Sequence, residues 1–146
     1  YTTLFRSDIG KIGIDEAILN KPGRLTAEEF ESMKAHTTIG ADMLRNLPRY
    51  QEERILQIAI EICRWHHERY DGKGYPDGLV GDEIPISAQL VSIADVYDAL
   101  TSERVYKKAF SHEKAMQMIR EGECGAFNPL LLSCLEEIAD ELQAEM

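Results

Sequence analysis

No apolar run in this sequence approaches the ~20 residues that a membrane-spanning helix needs. No positively charged leader precedes a short apolar stretch, so the chain is expected to be soluble and cytoplasmic. Cysteine is scarce: Cys63, Cys124 and Cys134 are odd in number and lack Cys-x-x-Cys spacing. That argues against a disulfide framework and suits reduced thiols serving as core fillers. Basic residues are also few. Sixteen Lys and Arg against twenty-six Asp and Glu leave a formal net charge of -10, which disfavours general attraction to a nucleic-acid polymer or an anionic membrane. An anionic ligand would need a locally positive site, supplied by metal ions or a few placed Lys and Arg side chains. Internal repeats, low-complexity tracts and convincing alternation of apolar and polar residues are missing as well. What remains is 146 residues of 44% hydrophobic content, the size of one compact domain that can bury its own core.

The patterning predicts an all-α fold. Thr26 and Glu29 form a capping-box pair ahead of a helix carrying Phe30, Met33, Gly40, Leu44 and Leu47 on one face and stopping near Pro48. A second helix is expected over 52–66, with Ile55, Ile58, Ala59, Ile62 and Cys63 at helical spacing and His66 continuing the stripe. Gly72, Gly74, Pro76, Gly78 and Gly81 then exclude a regular helix and make a long ordered loop over 70–85. Ser87, Ser111 and Asn128-Pro129 are expected to open three further helices, and a helical turn or two is expected around Ala17 to Leu19.

Of four histidines, His36, His66 and His67 fall where the helical pattern turns inward. Any one alone reads more readily as a hydrogen-bonded core residue than as a ligand. Three together, joined by Asp95 and Asp98 on one face of an otherwise apolar helix, point to a bound cation or a basic partner, because an unpaired buried carboxylate is costly. His66 and His67 would point about 100° apart if still helical, which suits two neighbouring metals or one metal at a helix end. Imidazole with carboxylate favours Fe, Mn, Zn or Ni over Mg or Ca, and paired ions of this kind hydrolyse phosphodiesters. In the loop, Gly74 lets backbone approach a ligand, and Tyr75 offers a face on which a base could stack; a purely structural loop held by Pro76 and an Asx-type turn at Asp77 explains the same residues. Arg104, Lys107 and Lys108 form the one tight basic cluster of the second half, readable as solvated surface or as phosphate contacts. Lys11, close after Asp8, could stabilise charge developing on phosphate or protonate a leaving oxygen.

Asp8-Ile9-Gly10-Lys11-Ile12-Gly13-Ile14, His36, His66-His67-Glu68, Gly74-Tyr75-Pro76 and the run from Ile93 to Thr101 together resemble the motif set of HD-GYP domains, in order, from Asp8 to about Leu135. The resemblance implies an all-α helical bundle of the HD superfamily with a long Gly-rich loop. It further implies two or three divalent transition metals, Fe or Mn foremost, and hydrolysis of cyclic di-GMP to the linear dinucleotide or GMP. Carried over, Asp8 bridges metals, His36, His66, His67 and Asp95 are ligands, and Lys11 assists catalysis. Gly74, Tyr75 and Pro76 shape the substrate loop, and Arg104 and Lys107 hold phosphates. The partners implied are cyclic di-GMP and an upstream receiver or sensor domain of a bacterial signalling protein, with no nucleic-acid polymer and a homodimer left open.

The family motif begins His-Asp, whereas this chain has Ser7-Asp8, and a hydroxyl is a poor substitute for imidazole on a transition metal. Two explanations compete: a degenerate, catalytically inactive binding or interaction module, or a non-native segment at 1–7. The second is favoured, since Tyr-Thr-Thr-Leu-Phe-Arg-Ser is what a widely used short-read sequencing adapter encodes in one frame. On that reading 8–146 is the phosphohydrolase domain lacking its first helices, and the chain as it stands is expected to be weakly active or inactive.

Overall fold

The computed structural model describes residues 7–50, 52–103 and 108–144. Residues 1–6 of the segment read as non-native lie outside them, as do Arg104 and Lys107. Among the described residues the fold is all-α, as expected, with only an isolated bridge between Asp71 and Val80. A 3-10 turn at Ile9–Gly13 precedes α1 (Glu16–Leu19), α2 (Ala27–Lys34), α3 (His36–Arg45), α4 (Arg54–Trp65), α5 (Ile86–Thr101), α6 (His112–Arg120), α7 (Pro129–Glu137) and α8 (Ala139–Ala144). No helix is long and apolar enough to cross a membrane among the described residues.

Local signals set several helix starts. Thr26 and Glu29 make the full capping box, Ser111 Oγ accepts from Lys114 N, and Asn128 Oδ1 accepts from Leu130 N ahead of Pro129. Ser87 does not cap α5. Pro85 holds that position, its carbonyl accepting from Ala88 and Gln89, and Ser87 Oγ instead donates to Glu61 across to α4.

The single helix expected after Thr26 is two. His36 Nδ1 takes the Met33 carbonyl, and the Thr37 and Thr38 hydroxyls donate to the Lys34 and Ala35 carbonyls. These side chains compete for the acceptors that a continuous ladder would use, and α2 ends at Lys34 with Ala35 between it and α3, which begins with His36. Phe30 and Leu47, expected on the packed face, are exposed.

Two apolar clusters hold the bundle. α3 meets α4 through Ala41, Leu56, Ile60 and Cys63, while α5, α6 and α7 enclose Ile93, Leu100, Ala115, Met116, Ile119 and Leu135. The α4 stripe runs through Leu56, Ile60 and Cys63 rather than from Ile55, which is 72% exposed. Of the three cysteines expected as core fillers, only Cys63 is buried; Cys124 is half-buried and Cys134 exposed, and none is in a disulfide.

Candidate metal centre

The sequence brings four donors together from three places. Asp8 stands at the start of the 3-10 turn, His36 opens α3, His66 caps the C-terminus of α4, and His67 follows as the helix gives way to the loop. One ligand atom from each of these four lies within 4.8 Å of the others. The turn can lie against α3 because residue 10 is glycine: a Cβ there would run into the His36 carbonyl.

Each buried imidazole is anchored by one nitrogen and leaves the other facing the cluster. His36 Nδ1 lies 2.7 Å from the Met33 carbonyl, and His66 Nδ1 lies 2.8 Å from that of Ile62 and 3.1 Å from that of Cys63. Carbonyls only accept, so both Nδ1 atoms carry the proton and both Nε2 atoms present a lone pair. These lone pairs point toward Asp8 Oδ1, at 3.4 Å from His36 and 3.8 Å from His66. Both Nε2 atoms are buried and have no hydrogen-bond partner among the described residues, so the donor set fits an electrophile. His67 completes the group, its ring 4.1 Å from that of His66 and 5.1 Å from that of His36.

The electrostatics agree. Burial opposes ionisation of Asp8, but the hydrogen bond and charge of the Lys11 ammonium facing it win, holding its carboxyl well below the usual carboxylate range. Lys11 Nζ reaches Asp8 Oδ2 at 2.6 Å. Burial, then the neighbouring His66 and His36, push His67 down to about 3, and burial lowers His36 too. Carboxylate and neutral imidazole are the protonation states a metal requires. Burial and the Asp8 charge push the Cys63 thiol up to about 11, so the sulfur behind His66 remains a thiol and offers no thiolate ligand.

Tyr75 stacks on His67 with centroids 4.8 Å apart and planes at 26°. Its own phenol is held neutral by burial and by Asp8 and Asp95. Phe30 meets Tyr75 edge-on, and Lys34 Nζ lies 5.1 and 5.5 Å from their centroids, so α2 walls the loop from outside. The Tyr75-Pro76 bond is cis. Asp77 forms no Asx turn; its carboxylate accepts from Arg64 Nε and Nη2 and from the Trp65 indole.

Asp95 is not among the four gathered donors. It lines an adjoining cavity of about 160 Å³ with His66, His67, Arg69 and Tyr75. Asp98, expected on the same face, is exposed and borders a separate apolar groove of about 750 Å³ between α5, α7 and α8. That groove is larger but is lined by no histidine. Lys108 is exposed. Sequence reasoning gave no role to Glu68, which is 3% exposed and accepts the backbone N–H groups of Asp77, Gly78 and Leu79. Its visible signals were its place directly after two inward histidines and within the His66-His67-Glu68 motif.

A family model described as HD domain matches residues 2–129. Among curated proteins, a cyclic di-GMP phosphodiesterase of Vibrio cholerae serotype O1 is 47% identical over 138 residues, 94% of this chain and 28% of that protein. The cyclic di-GMP phosphodiesterase response regulator RpfG of Xanthomonas campestris pv. campestris is 43% identical over 128 residues, 88% of this chain and 33% of that protein. The 3'3'-cGAMP-specific phosphodiesterase 2 of Vibrio cholerae serotype O1 is 41% identical over 137 residues, 94% of this chain and 26% of that protein. The chain thus spans about a quarter to a third of the length of these relatives.

Proposed function

The chain belongs to the HD domain family, and we propose that it is a metal-dependent phosphodiesterase domain that hydrolyses cyclic di-GMP to the linear dinucleotide or on to GMP. The observation that carries this reading is the pair of buried, partnerless His36 and His66 Nε2 atoms converging on an ionised Asp8. The relatives named as cyclic di-GMP phosphodiesterases supply the substrate.

Asp8, His36, His66 and His67 would hold divalent transition metal, Fe or Mn, with Asp95 turned toward a second or third ion from the adjoining cavity. When bound, such ions supply Lewis acidity to phosphoryl oxygens and lower the pKa of water. The protein's own groups do the rest. Asp8 holds the Lys11 ammonium at the edge of the donor cluster, where it can meet a phosphate or deliver a proton to a departing ribose oxygen. Gly74, Tyr75 and Pro76 form the wall beside His67 against which the dinucleotide lies. Arg104 and Lys107 are the proposed phosphate contacts. As in the expected architecture, residues 8–146 would act as the output unit of a cytoplasmic bacterial signalling protein with a receiver or sensor domain.

The test is turnover by protein loaded with Mn2+ or Fe2+, with metal content measured alongside. Linear dinucleotide or GMP should appear from cyclic di-GMP and stop on addition of a chelator. Intact substrate in the presence of bound metal would refute the enzyme reading, and cyclic di-GMP binding under those conditions would favour the inactive binding module that Ser7 raises. A 3'3'-cGAMP-specific relative at 41% identity motivates parallel assay of that dinucleotide.

A further inference from the structure

We infer that Glu68 is the positioning residue that fixes the Gly74–Leu79 segment and so seats Tyr75 against His67, an inference that rests on the substrate-wall role proposed above for this loop. The carboxylate is buried, 3% of the residue being exposed. Oε1 accepts from Asp77 N at 2.7 Å and Gly78 N at 3.0 Å, and Oε2 accepts from Leu79 N at 3.1 Å. Three successive backbone donors aimed at one carboxylate form a concave anion nest built by the loop itself.

The same short stretch is locked to the loop at two more points. Tyr75 N donates to the His67 carbonyl at 3.2 Å. At Gly74 a side chain would collide with the backbone of Glu68 and Arg69, so the two segments are in main-chain contact. The Tyr75 ring then lies on the His67 ring. The carboxylate thus holds the backbone of residues 77–79, the Tyr75 N–H is held two residues before them, and the Tyr75 ring rests on His67 between these anchors. The outer clamp, Asp77 with Arg64 and Trp65, is more open to solvent and grips one residue by its side chain. Glu68 instead grips the main chain from within. Glu68 also borders the cavity that Asp95 lines, but its oxygens are absent from the four-donor group and both are taken up by the N–H groups of the loop.

Glu68→Gln keeps shape and volume but swaps one oxygen for an NH2 that faces an N–H donor. Glu68→Asp keeps the charge and shortens the reach by one methylene. In metal-loaded protein, amide hydrogen exchange at 77–79 should quicken by about tenfold or more in the Gln variant and less in the Asp variant. KM for cyclic di-GMP should rise in the same order, by about tenfold for Gln, with kcat changed by less than about threefold and Mn2+ content unchanged. Exchange at 77–79 equal to that of the parent overturns the inference. Loss of metal in step with the loop also overturns it, because Glu68 would then be supporting the ligands. If the parent itself neither binds nor cuts cyclic di-GMP, the functional reading fails, while exchange and metal content still decide the role of Glu68.

Discussion

Replacing His66 by leucine separates a ligand from a core residue, because the two roles predict opposite changes in stability. In metal-free protein the His66 Nε2 atom is buried without a partner, a penalty of about 1–3 kcal/mol that an apolar side chain removes. Leucine also gives up the Nδ1–H bonds to Ile62 and Cys63 at the end of α4, worth about 1 kcal/mol. The balance for His66→Leu in chelator is neutral to about 2 kcal/mol stabilising. With metal the order inverts. Parent protein at a free metal concentration about 100 times Kd gains about 2.7 kcal/mol, a rise in Tm of roughly 8–11 °C for a domain of this size, whereas the variant should gain little. Thermal unfolding followed by circular dichroism, with chelator and with Mn2+, reads both numbers. A variant destabilised by more than about 3 kcal/mol in chelator, or one that keeps the full metal-induced shift, would show His66 to be a structural core histidine and sink the reasoning.

Three further outcomes follow from the same geometry. Lys11→Met should lower kcat by about 10²–10⁴-fold with metal content intact, and steady-state kinetics with full activity retained would remove Lys11 from the reaction. Asp95→Asn should reduce bound metal by one ion per chain while affinity at the Asp8, His36 and His66 site stays within about tenfold; elemental analysis showing unchanged stoichiometry would count against Asp95 as a ligand. Because His67 is held down to about 3 against an ordinary value near ~6.5, the unfolded chain takes up a proton below 6.5 that the folded imidazole refuses. Metal-free protein should therefore be at full stability above pH 6.5 and lose on the order of a few kcal/mol as pH falls toward 3. Chemical denaturation in chelator at several pH values should show a flatter profile for His67→Gln, and parallel profiles would contradict that.

What could be read from the sequence depended on how far apart the interacting groups lie along it. Thr26 with Glu29, Ser111 with Lys114, and Asn128 with Leu130 are separated by two or three residues, and each cap forms as expected. Inward histidines were legible because position on a helix face follows from spacing alone. Spacing did not resolve neighbours within a face: Ile55 and Leu56 are both apolar, and only contact with α3 selects Leu56. Nor did it separate Asp95 from Asp98, which at i, i+3 differ by about 60° around the axis; that difference sends one to the histidine cavity and the other to the groove beside α7 and α8. Hardest to foresee was Glu68, whose partners are nine to eleven residues ahead in a loop without periodicity.

His66, His67 and Glu68 are consecutive, yet each is fixed by a different kind of structure. His66 is tied to the helix behind it through its Nδ1 atom. His67 gives its carbonyl and its ring face to Tyr75, and Glu68 gives its carboxylate to the loop ahead. The proposed metal donors and the proposed substrate wall would thereby be joined across two peptide bonds. Rigid alignment of this kind is what places a reacting group within the narrow geometry that catalysis demands. It also means that a substitution in the Gly74–Leu79 loop would act at His67 through the Tyr75 ring and the Tyr75 N–H, while His66 and His36, anchored on their own helices, would stay where they are.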